Sequence, residues 1–316
     1  MSSPPPKGEK YRRLLEACRD LPPVLTAVAH PCDATSLQSA VEAQRLGLIR
    51  PLLFGPEARV RRTAAAAGID LADLPITDTP HSHASAEAAV AAVRRGEAAA
   101  LMKGSLHTDE LMGAVVARET GLRTARRISH CYVMDVPGHP EPLIISDAAV
   151  NIAPTLAEKA DIVQNAIELA QALRFPEVRV AILSATESVN PKLPGTVEAA
   201  ALCKMADRGQ ITGGLIDGPL ALDNAISPEA AATKGIRSPV AGRANVLIVP
   251  DLEAGNMLAK SLSFLAGADA AGIVLGAKVP IILTSRADSL MTHLASCAVA
   301  ALVAAARRAA LAAAVA

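Results

Sequence analysis

Short apolar runs alternate with longer stretches that carry Ala and Glu at helical spacing along most of this chain. The runs are rich in Val, Ile and Leu, are bounded by Pro, Gly or Asp, and predict strands. A strand followed by a helix, repeated many times, predicts mostly parallel sheets with helices on both faces. The predicted strands are Val24–Ala29, Ile49–Phe54, Ala98–Met102, Val178–Leu183, Gly214–Ile216, Val246–Val249, Gly272–Leu275 and Val279–Leu283. The predicted helices are Ala34–Leu46, Ala84–Arg95, Thr155–Leu173, Thr196–Ala206 and Gly255–Leu265.

One interval breaks this alternation. The chain is strand-like from Ile128 to Val136 and again from Leu143 to Ser146, on either side of Pro137-Gly138-His139-Pro140. This pattern predicts a β-hairpin, which in an α/β chain often marks a sheet edge or a domain junction. Before the first strand, Met1 to Lys10 is polar and Pro-rich, and we expect it to be a disordered lead-in.

Composition narrows the class of protein but not its chemistry. At 316 residues the chain exceeds the usual size of a single core, so two domains are expected. The 31 basic side chains equal the 31 acidic ones, so no global field attracts nucleic acid or an anionic membrane. The five cysteines are scattered and never form Cys-x-x-Cys, which favours free thiols in a reducing cytoplasm.

The C-terminal stretch is apolar but does not favour a membrane span. It is mostly Ala and is interrupted by Arg307-Arg308, whereas a span needs about 20 strongly apolar residues. We expect a packed C-terminal helix with a frayed tip.

Familiar cofactor signatures are missing from the sequence. Gly272–Lys278 has the wrong glycine spacing for a P-loop, and no Gly-x-Gly-x-x-Gly follows a predicted strand. His81 and His83 form a His-x-His pair, but two flanking loop histidines without a third ligand favour exposed residues over a metal site. No metal and no bound cofactor are therefore predicted.

Two turns carry candidate chemistry. Lys103-Gly104-Ser105 with His107-Thr108 follows an apolar strand and precedes a helix, where backbone N–H groups and Lys103 could hold phosphate. The alternative is a glycine-containing connection in which Ser105 or Thr108 only caps the helix. Residue types alone support both interpretations equally.

The second turn is Thr284-Ser285-Arg286-Ala287-Asp288-Ser289, which follows the apolar run Val279–Leu283. A guanidinium at the carboxyl end of a strand can bind a phosphate dianion through two hydrogen bonds. The alternative is a helix start, with Ser285 or Asp288 as the cap and Arg286 in solvent.

A third region, Asp217 to Lys260, carries the most specific pattern. It contains Asp217-Gly218-Pro219-Leu220, Ser238-Pro239-Val240-Ala241-Gly242 and Pro250-Asp251-Leu252-Glu253-Ala254-Gly255-Asn256. An apolar strand that ends in Pro-Asp, with a helix opening at Ala254-Gly255-Asn256, should place backbone N–H groups at the carboxyl edge of a sheet. At these motifs the chain resembles the phosphate acetyltransferase and phosphate butyryltransferase family.

The resemblance implies a two-domain α/β fold similar to that of isocitrate and isopropylmalate dehydrogenases, with a cleft between the domains. The corresponding domains would be residues 1–147 plus 281–316, carrying the Ser-Arg motif, and residues 148–280, forming the dimer contact and one cleft wall. In this family the Ser-Arg pair is implicated in catalysis, and Ser285 and Arg286 match it. The substrate-binding residues implied are Lys103, Gly104, Ser105, His107, Thr108, Asp223 and Asn256.

The implied reaction moves an acetyl or butyryl group between coenzyme A and inorganic phosphate, without a bound cofactor, in a cytoplasmic homodimer. The chain departs from the acetyltransferase branch at Thr292, where that branch has the Asp assigned as general base, so Asp288 is the nearest candidate. Two alternatives remain at this stage. One is a NAD-dependent hydroxyacid dehydrogenase of the same fold, and the other is a non-catalytic module that senses acyl-coenzyme A.

Overall fold

The computed structural model describes residues 8–71, 74–285 and 288–315, and these divide into two compact units. The middle unit comprises Arg127–Ala270 together with the described residues up to Lys10, and the terminal unit comprises Tyr11–Arg126 with Ala271–Ala316. The predicted boundaries, at 148 and 281, lie later in the chain than both divisions. The hairpin that follows Arg127 belongs to the middle unit, whereas the division implied by the resemblance includes it with the chain ends, and that division stays a prediction.

The terminal unit is built on mostly parallel strands. Their order is β3-β2-β1-β4-β11-β10, with parallel pairing as far as β11 and one antiparallel pair between β11 and β10. The strands are β1 (Val24–Ala29), β2 (Ile49–Gly55), β3 (Ile76–Asp78), β4 (Ala100–Lys103), β10 (Asp269–Leu275) and β11 (Ile281–Ile282). The helices are α1 (Glu9–Cys18), α2 (Ala34–Arg45), α3 (Glu57–Ala67), α4 (Ser82–Arg94), α5 (Thr108–Val116) and α11 (Leu290–Val315).

The middle unit has strand order β5-β6-β9-β7-β8, in which only the predicted hairpin β5–β6 is antiparallel. Its strands are β5 (Ser129–Asp135), β6 (Leu143–Ser146), β7 (Arg179–Leu183), β8 (Leu215–Leu220) and β9 (Val246–Ile248). Its helices are α6 (Leu156–Ala172), α7 (Pro194–Asp207), α8 (Leu222–Ile226), α9 (Pro228–Thr233) and α10 (Leu252–Leu265). The predicted α/β class with mostly parallel strands is confirmed.

The first described residues are more ordered than predicted. A helix begins at Glu9, where the sequence favoured a disordered lead-in up to Lys10. Lys10 is buried, forms an ion pair with Asp135 at 2.7 Å and donates to the Val136 carbonyl at 3.0 Å. Since both partners lie more than 120 residues away along the chain, the local composition could not reveal this anchor.

The C-terminal helix α11 is the one helix among the described residues that is long and apolar enough to cross a membrane. The same property is typical of a buried core helix. Its first half packs inside the terminal unit, where Cys297, Ala298 and Val299 are fully buried. The Arg307 side chain donates to the carbonyls of Ala277 and Lys278 at 3.1 and 3.2 Å.

Candidate active site

The carboxyl ends of three neighbouring strands meet at one edge of the terminal unit. Ala29 pairs with Lys103, and Met102 pairs with Ile282, in parallel ladders of β1, β4 and β11. The segments that follow these strands therefore start side by side. This edge is where parallel α/β folds place their ligands.

The turn after β4 is fixed against the end of β1. The N–H groups of Gly104 and Ser105 donate to the carbonyls of Ala29 and His30, each at 2.9 Å. The Ser105 hydroxyl also donates to the His30 carbonyl at 2.8 Å and accepts from the Cys32 N–H at 3.1 Å. The N–H groups of Gly104 and Ser105 therefore donate within the fold rather than to a ligand, and the assignment of these two residues to substrate binding stays a prediction.

Glycine is required at position 104 because the two backbones approach closely. A Cβ atom there would lie 2.5 Å from the Ala29 carbonyl oxygen and 2.6 Å from that of His30. His30 itself adopts a left-handed backbone conformation with φ of 55°, which is uncommon outside glycine. The sequence thus places a tight contact at the point where Lys103 leaves its strand.

Lys103, Thr284, Ser285, Asp288 and His293 together form a group that we name the strand-end cluster. The Lys103 side chain is only 5% exposed, and its Nζ donates to the carbonyls of Thr284 at 3.3 Å and Gly104 at 3.4 Å. The Thr284 hydroxyl lies 2.9 Å from Nδ1 of His293. A buried cation is therefore held at the predicted phosphate edge by carbonyl groups of two neighbouring turns.

The Ser285 backbone is tied to Asp288 rather than to the helix that follows. Asp288 Oδ2 accepts from the Ser285 N–H at 2.7 Å, and the Asp288 N–H donates to the Ser285 carbonyl at 3.1 Å. Helix α11 is capped by Ser289, whose hydroxyl accepts from the Thr292 N–H at 3.1 Å. Asp288 therefore does not cap α11 itself but closes the turn before it on the Ser285 N–H, and its assignment as a base stays a prediction. Ser285 is exposed and Asp288 half-buried, while Arg286 lies outside the described residues.

His107 and Thr108 begin helix α5 and are exposed. The His107 N–H donates to Glu110 at 2.8 Å. Glu110 also accepts from the Ser82 hydroxyl at 2.6 Å, and this bond, followed by the one from His107, holds the pKa of the Glu110 carboxyl below its usual value. His81 caps helix α4, with Nδ1 accepting from the Ala84 N–H. Across the described part of the chain, no group of three potential metal ligands comes together.

The two remaining predicted site residues lie in the middle unit, on different helices. Asp223 is exposed on α8, and its carboxylate accepts from the Asn224 N–H at 2.8 Å and lies 3.6 Å from Lys234 Nζ. The Asn256 side chain on α10 donates to the Ala148 carbonyl at 3.3 Å. Their assignment to substrate binding stays a prediction.

The Pro-Asp-Leu-Glu-Ala-Gly-Asn motif builds the start of α10, which begins at Leu252 rather than at the predicted Ala254-Gly255-Asn256. Asp251 caps the helix by accepting from the Ala254 N–H at 2.8 Å. Gly255 allows the helix to touch the neighbouring turn, since a Cβ there would lie 2.7 Å from the Asp147 carbonyl oxygen. The motif therefore has a packing role that its residues explain without a ligand.

The sequence reasoning missed three buried residues at the two strand edges. Asp147 accepts from the N–H groups of Ala149, Val150 and Asn151 at 2.9 to 3.1 Å, which fixes the turn after β6. Thr284 was named only as the first residue of the second turn, without a role, and His293 was not named. The position of Thr284 directly after a strand was the one available signal, whereas the partner of His293 is visible only in three dimensions.

Comparison with known proteins adds a decisive observation to this geometry. The model of the Phosphate acetyl/butaryl transferase family matches residues 79–301, which is more than half of the chain. The chain belongs to this family. Phosphate acetyltransferase of Rhizobium meliloti is 64% identical over 311 residues, which cover 98% of each chain. Phosphate butyryltransferase of Clostridium acetobutylicum is 40% identical over 278 residues, covering 88% of this chain and 92% of the other.

The phosphate acetyl/butyryltransferase assignment extends to solved structures. A branched-chain phosphotransacylase from Enterococcus faecalis V583 superposes with a TM-score of 0.77 at 31% identity, covering 89% of this chain and 99% of that chain. These relatives confirm the resemblance seen at the Asp217–Lys260 motifs and make the chain an acyltransferase enzyme. Neither the dehydrogenase nor the non-catalytic alternative is favoured by them.

Proposed function

We propose that the protein transfers an acetyl or butyryl group between coenzyme A and inorganic phosphate, giving acyl phosphate and free coenzyme A by direct attack in a ternary complex. Family membership over most of the chain carries this proposal. The buried Lys103 ammonium at the edge shared by three parallel strands supports it, because phosphate is an anion that such a position favours.

The reaction balances without a bound cofactor or a covalent enzyme intermediate. A phosphate oxygen attacks the thioester carbonyl carbon, a C–O bond forms, and the C–S bond then breaks as its electron pair leaves with the thiolate. In water a thiol has a pKa of about 8.5, so the leaving thiolate needs only modest protonation. Holding both substrates together removes up to about 7–11 kcal/mol of the barrier.

Three members of the strand-end cluster, together with Arg286, have proposed roles in this reaction. Lys103 and Arg286 bind the phosphate, and the Ser285 hydroxyl donates to the developing oxyanion, a contact worth about 3–4 kcal/mol when preorganised. Asp288 accepts the thiol proton in the reverse direction. Its carboxylate is held beside Ser285 by the 2.7 Å bond from the Ser285 N–H, which supports that placement.

A thiol-release assay tests the proposal. Purified protein should release free thiol from acetyl- or butyryl-coenzyme A only when phosphate is added, and Arg286→Ala should raise the phosphate KM or abolish kcat. Arg208→Ala is a suitable control because Arg208 lies at the end of α7 in the middle unit and has no proposed role in the site. Thiol release that does not depend on phosphate would contradict the function.

We also propose a cytoplasmic homodimer with no nucleic-acid or membrane partner. Phe264 and Leu265 near the end of α10 are 85% and 86% exposed, and Met257 on the same helix is 62% exposed. Apolar side chains grouped in this way favour a protein contact. Light scattering should give twice the chain mass, and Phe264→Glu with Leu265→Glu should yield monomers.

The cytoplasmic location is supported by the five free cysteines, which are typical of a reducing compartment.

A further inference from the structure

The first turn of α11 places an imidazole inside the strand-end cluster. His293 is 4% exposed, and its N–H donates to the Ser289 carbonyl at 3.2 Å. One turn later the Ser296 hydroxyl accepts from the Gly272 N–H on β10 at 2.9 Å. Because the helix is fixed to a strand at this point, the imidazole has a defined position in the terminal unit.

The two ring nitrogens of His293 have different surroundings. Nδ1 lies 2.9 Å from the Thr284 hydroxyl, which is itself buried. Nε2 is buried and makes no hydrogen bond of good geometry among the described residues, although the Ser285 backbone lies close enough to raise the pKa of the ring. The hydrogen bond between Nδ1 and Thr284 is therefore the side-chain contact that orients the imidazole.

Burial is the main cause that lowers the pKa of His293. The charged groups that act on the ring are Lys103, which lowers the pKa further, and Asp288 and Asp33, which raise it. The ring is accordingly neutral at pH 7, and one nitrogen carries the proton. A neutral ring can hold the Thr284 hydroxyl without adding a second positive charge beside the Lys103 ammonium.

The Thr284–His293 contact acts on both predicted phosphate-binding turns. The Thr284 carbonyl accepts from Lys103 Nζ at 3.3 Å, and the next residue along the chain is Ser285. Fixing the Thr284 side chain therefore fixes the orientation of the carbonyl that holds the ammonium and the start of the Ser-Arg turn. Without this contact, the Thr284 carbonyl and the turn at Ser285 would be free to reorient.

We infer that His293 is a positioning residue for acyl transfer, which acts by holding Thr284 and, through it, Lys103 and the Ser285 turn. The inference rests on the proposed function. His293 is the neighbour of Thr292, and Thr292 is the position at which the acetyltransferase branch has its assigned base. His293 does not replace that base, because its ring is buried within the protein.

Two nearly isosteric replacements test the inference. Asn at position 293 keeps a polar atom where Nδ1 stands, whereas Leu removes it. His293→Leu should lower kcat/KM for phosphate at least tenfold and leave the acyl-coenzyme A KM within twofold, while His293→Asn stays within threefold of wild type. Thr284→Val and Thr284→Ser should show the same contrast, with loss in Val and retention in Ser.

Controls separate positioning from damage to the fold. Thr26→Val removes the hydroxyl of an equally buried threonine on β1 and should leave kcat/KM unchanged. The double variant Thr284→Val with His293→Leu should be no less active than the weaker single variant, because both changes remove one contact. Nitrogen-15 spectra of the ring should show a neutral imidazole at pH 7.

The outcomes distinguish this inference from the proposed function. A wild-type protein without phosphate-dependent thiol release would overturn the function and the inference with it. An active wild type in which His293→Leu and His293→Asn are equally active, or equally impaired, would overturn the inference alone. Multiplying losses in the double variant would also overturn it.

Discussion

Replacing Gly104 with Ala should push the turn after β4 away from the end of β1, because the two backbones are in close contact there. The new Cβ would lie 2.5 Å from the Ala29 carbonyl oxygen, about 0.9 Å inside the 3.4 Å at which ordinary contact begins. Overpacking of this kind costs about 1–3 kcal/mol. The two 2.9 Å bonds donated by Gly104 and Ser105 would weaken as well, at about 0.5–1.5 kcal/mol each.

The expected total is a loss of about 2–6 kcal/mol in the free energy of unfolding, measured by urea denaturation followed by circular dichroism. For a chain or unit of 150–250 residues this corresponds to a fall in Tm of roughly 4–24 °C. At 25 °C, where most of the variant protein is still folded, the rate of phosphate-dependent thiol release should already be reduced, because the displaced turn carries Lys103.

Gly113→Ala is the matched control within the same unit. Gly113 lies inside α5, and a Cβ there meets nothing within 4 Å. The same replacement should therefore stabilise the protein by about 0.5–1 kcal/mol through helix propensity. A Gly104→Ala protein within 0.5 kcal/mol of wild type would refute the close-approach argument, and so would equal effects at the two positions.

Three further predictions concern the rest of the chain. Gly255→Ala should lower Tm because its Cβ would lie 2.7 Å from the Asp147 carbonyl oxygen, whereas Gly195→Ala, with its nearest neighbour at 3.7 Å, should not; equal Tm values would count against the packing role of the α10 motif. Burial raises the pKa of Cys297 to about 12, so iodoacetamide at pH 8 should label this thiol far more slowly than in urea, as read by mass spectrometry, and equal rates would disprove its burial. The lowered pKa of His293 makes a stability contribution that is present above pH 6.5 and lost as pH falls, because the unfolded chain takes up the proton first. Urea unfolding from pH 7 to pH 5 should therefore show a shallower loss in His293→Asn than in wild type, and parallel curves would contradict this.

The sequence was sufficient for the class of fold because the strands are buried on both faces and separated by helical spacing. The predicted ends of individual strands were wrong where pairing with a distant strand decides the end. Strand β8 continues through Asp217-Gly218-Pro219, which resembles a turn, because Leu220 pairs with Leu183 on β7. Strand β11 is limited to two residues, Ile281 and Ile282, and both of them pair with β4 on one side and with β10 on the other.

The candidate site was predictable in location but not in its internal bonds. The turn that begins at Lys103 was identified from its composition after a strand, and family resemblance gave the Ser-Arg pair. The bonds that fix these groups join residues far apart in the chain, such as Ser105 with His30 and Lys103 with Thr284. No local pattern encodes such a contact, so the sequence could not show that the N–H groups of Gly104 and Ser105 donate to the end of β1.

The most direct test of the account is the product formed from phosphate itself. Phosphorus-31 spectra of purified protein with acetyl- or butyryl-coenzyme A and inorganic phosphate should show one acyl phosphate formed for each free thiol. Oxygen-18 supplied in the phosphate should appear in the bridging position of that product. Thiol release accompanied by free carboxylic acid and unchanged phosphate would show hydrolysis instead, and would contradict direct transfer between coenzyme A and phosphate.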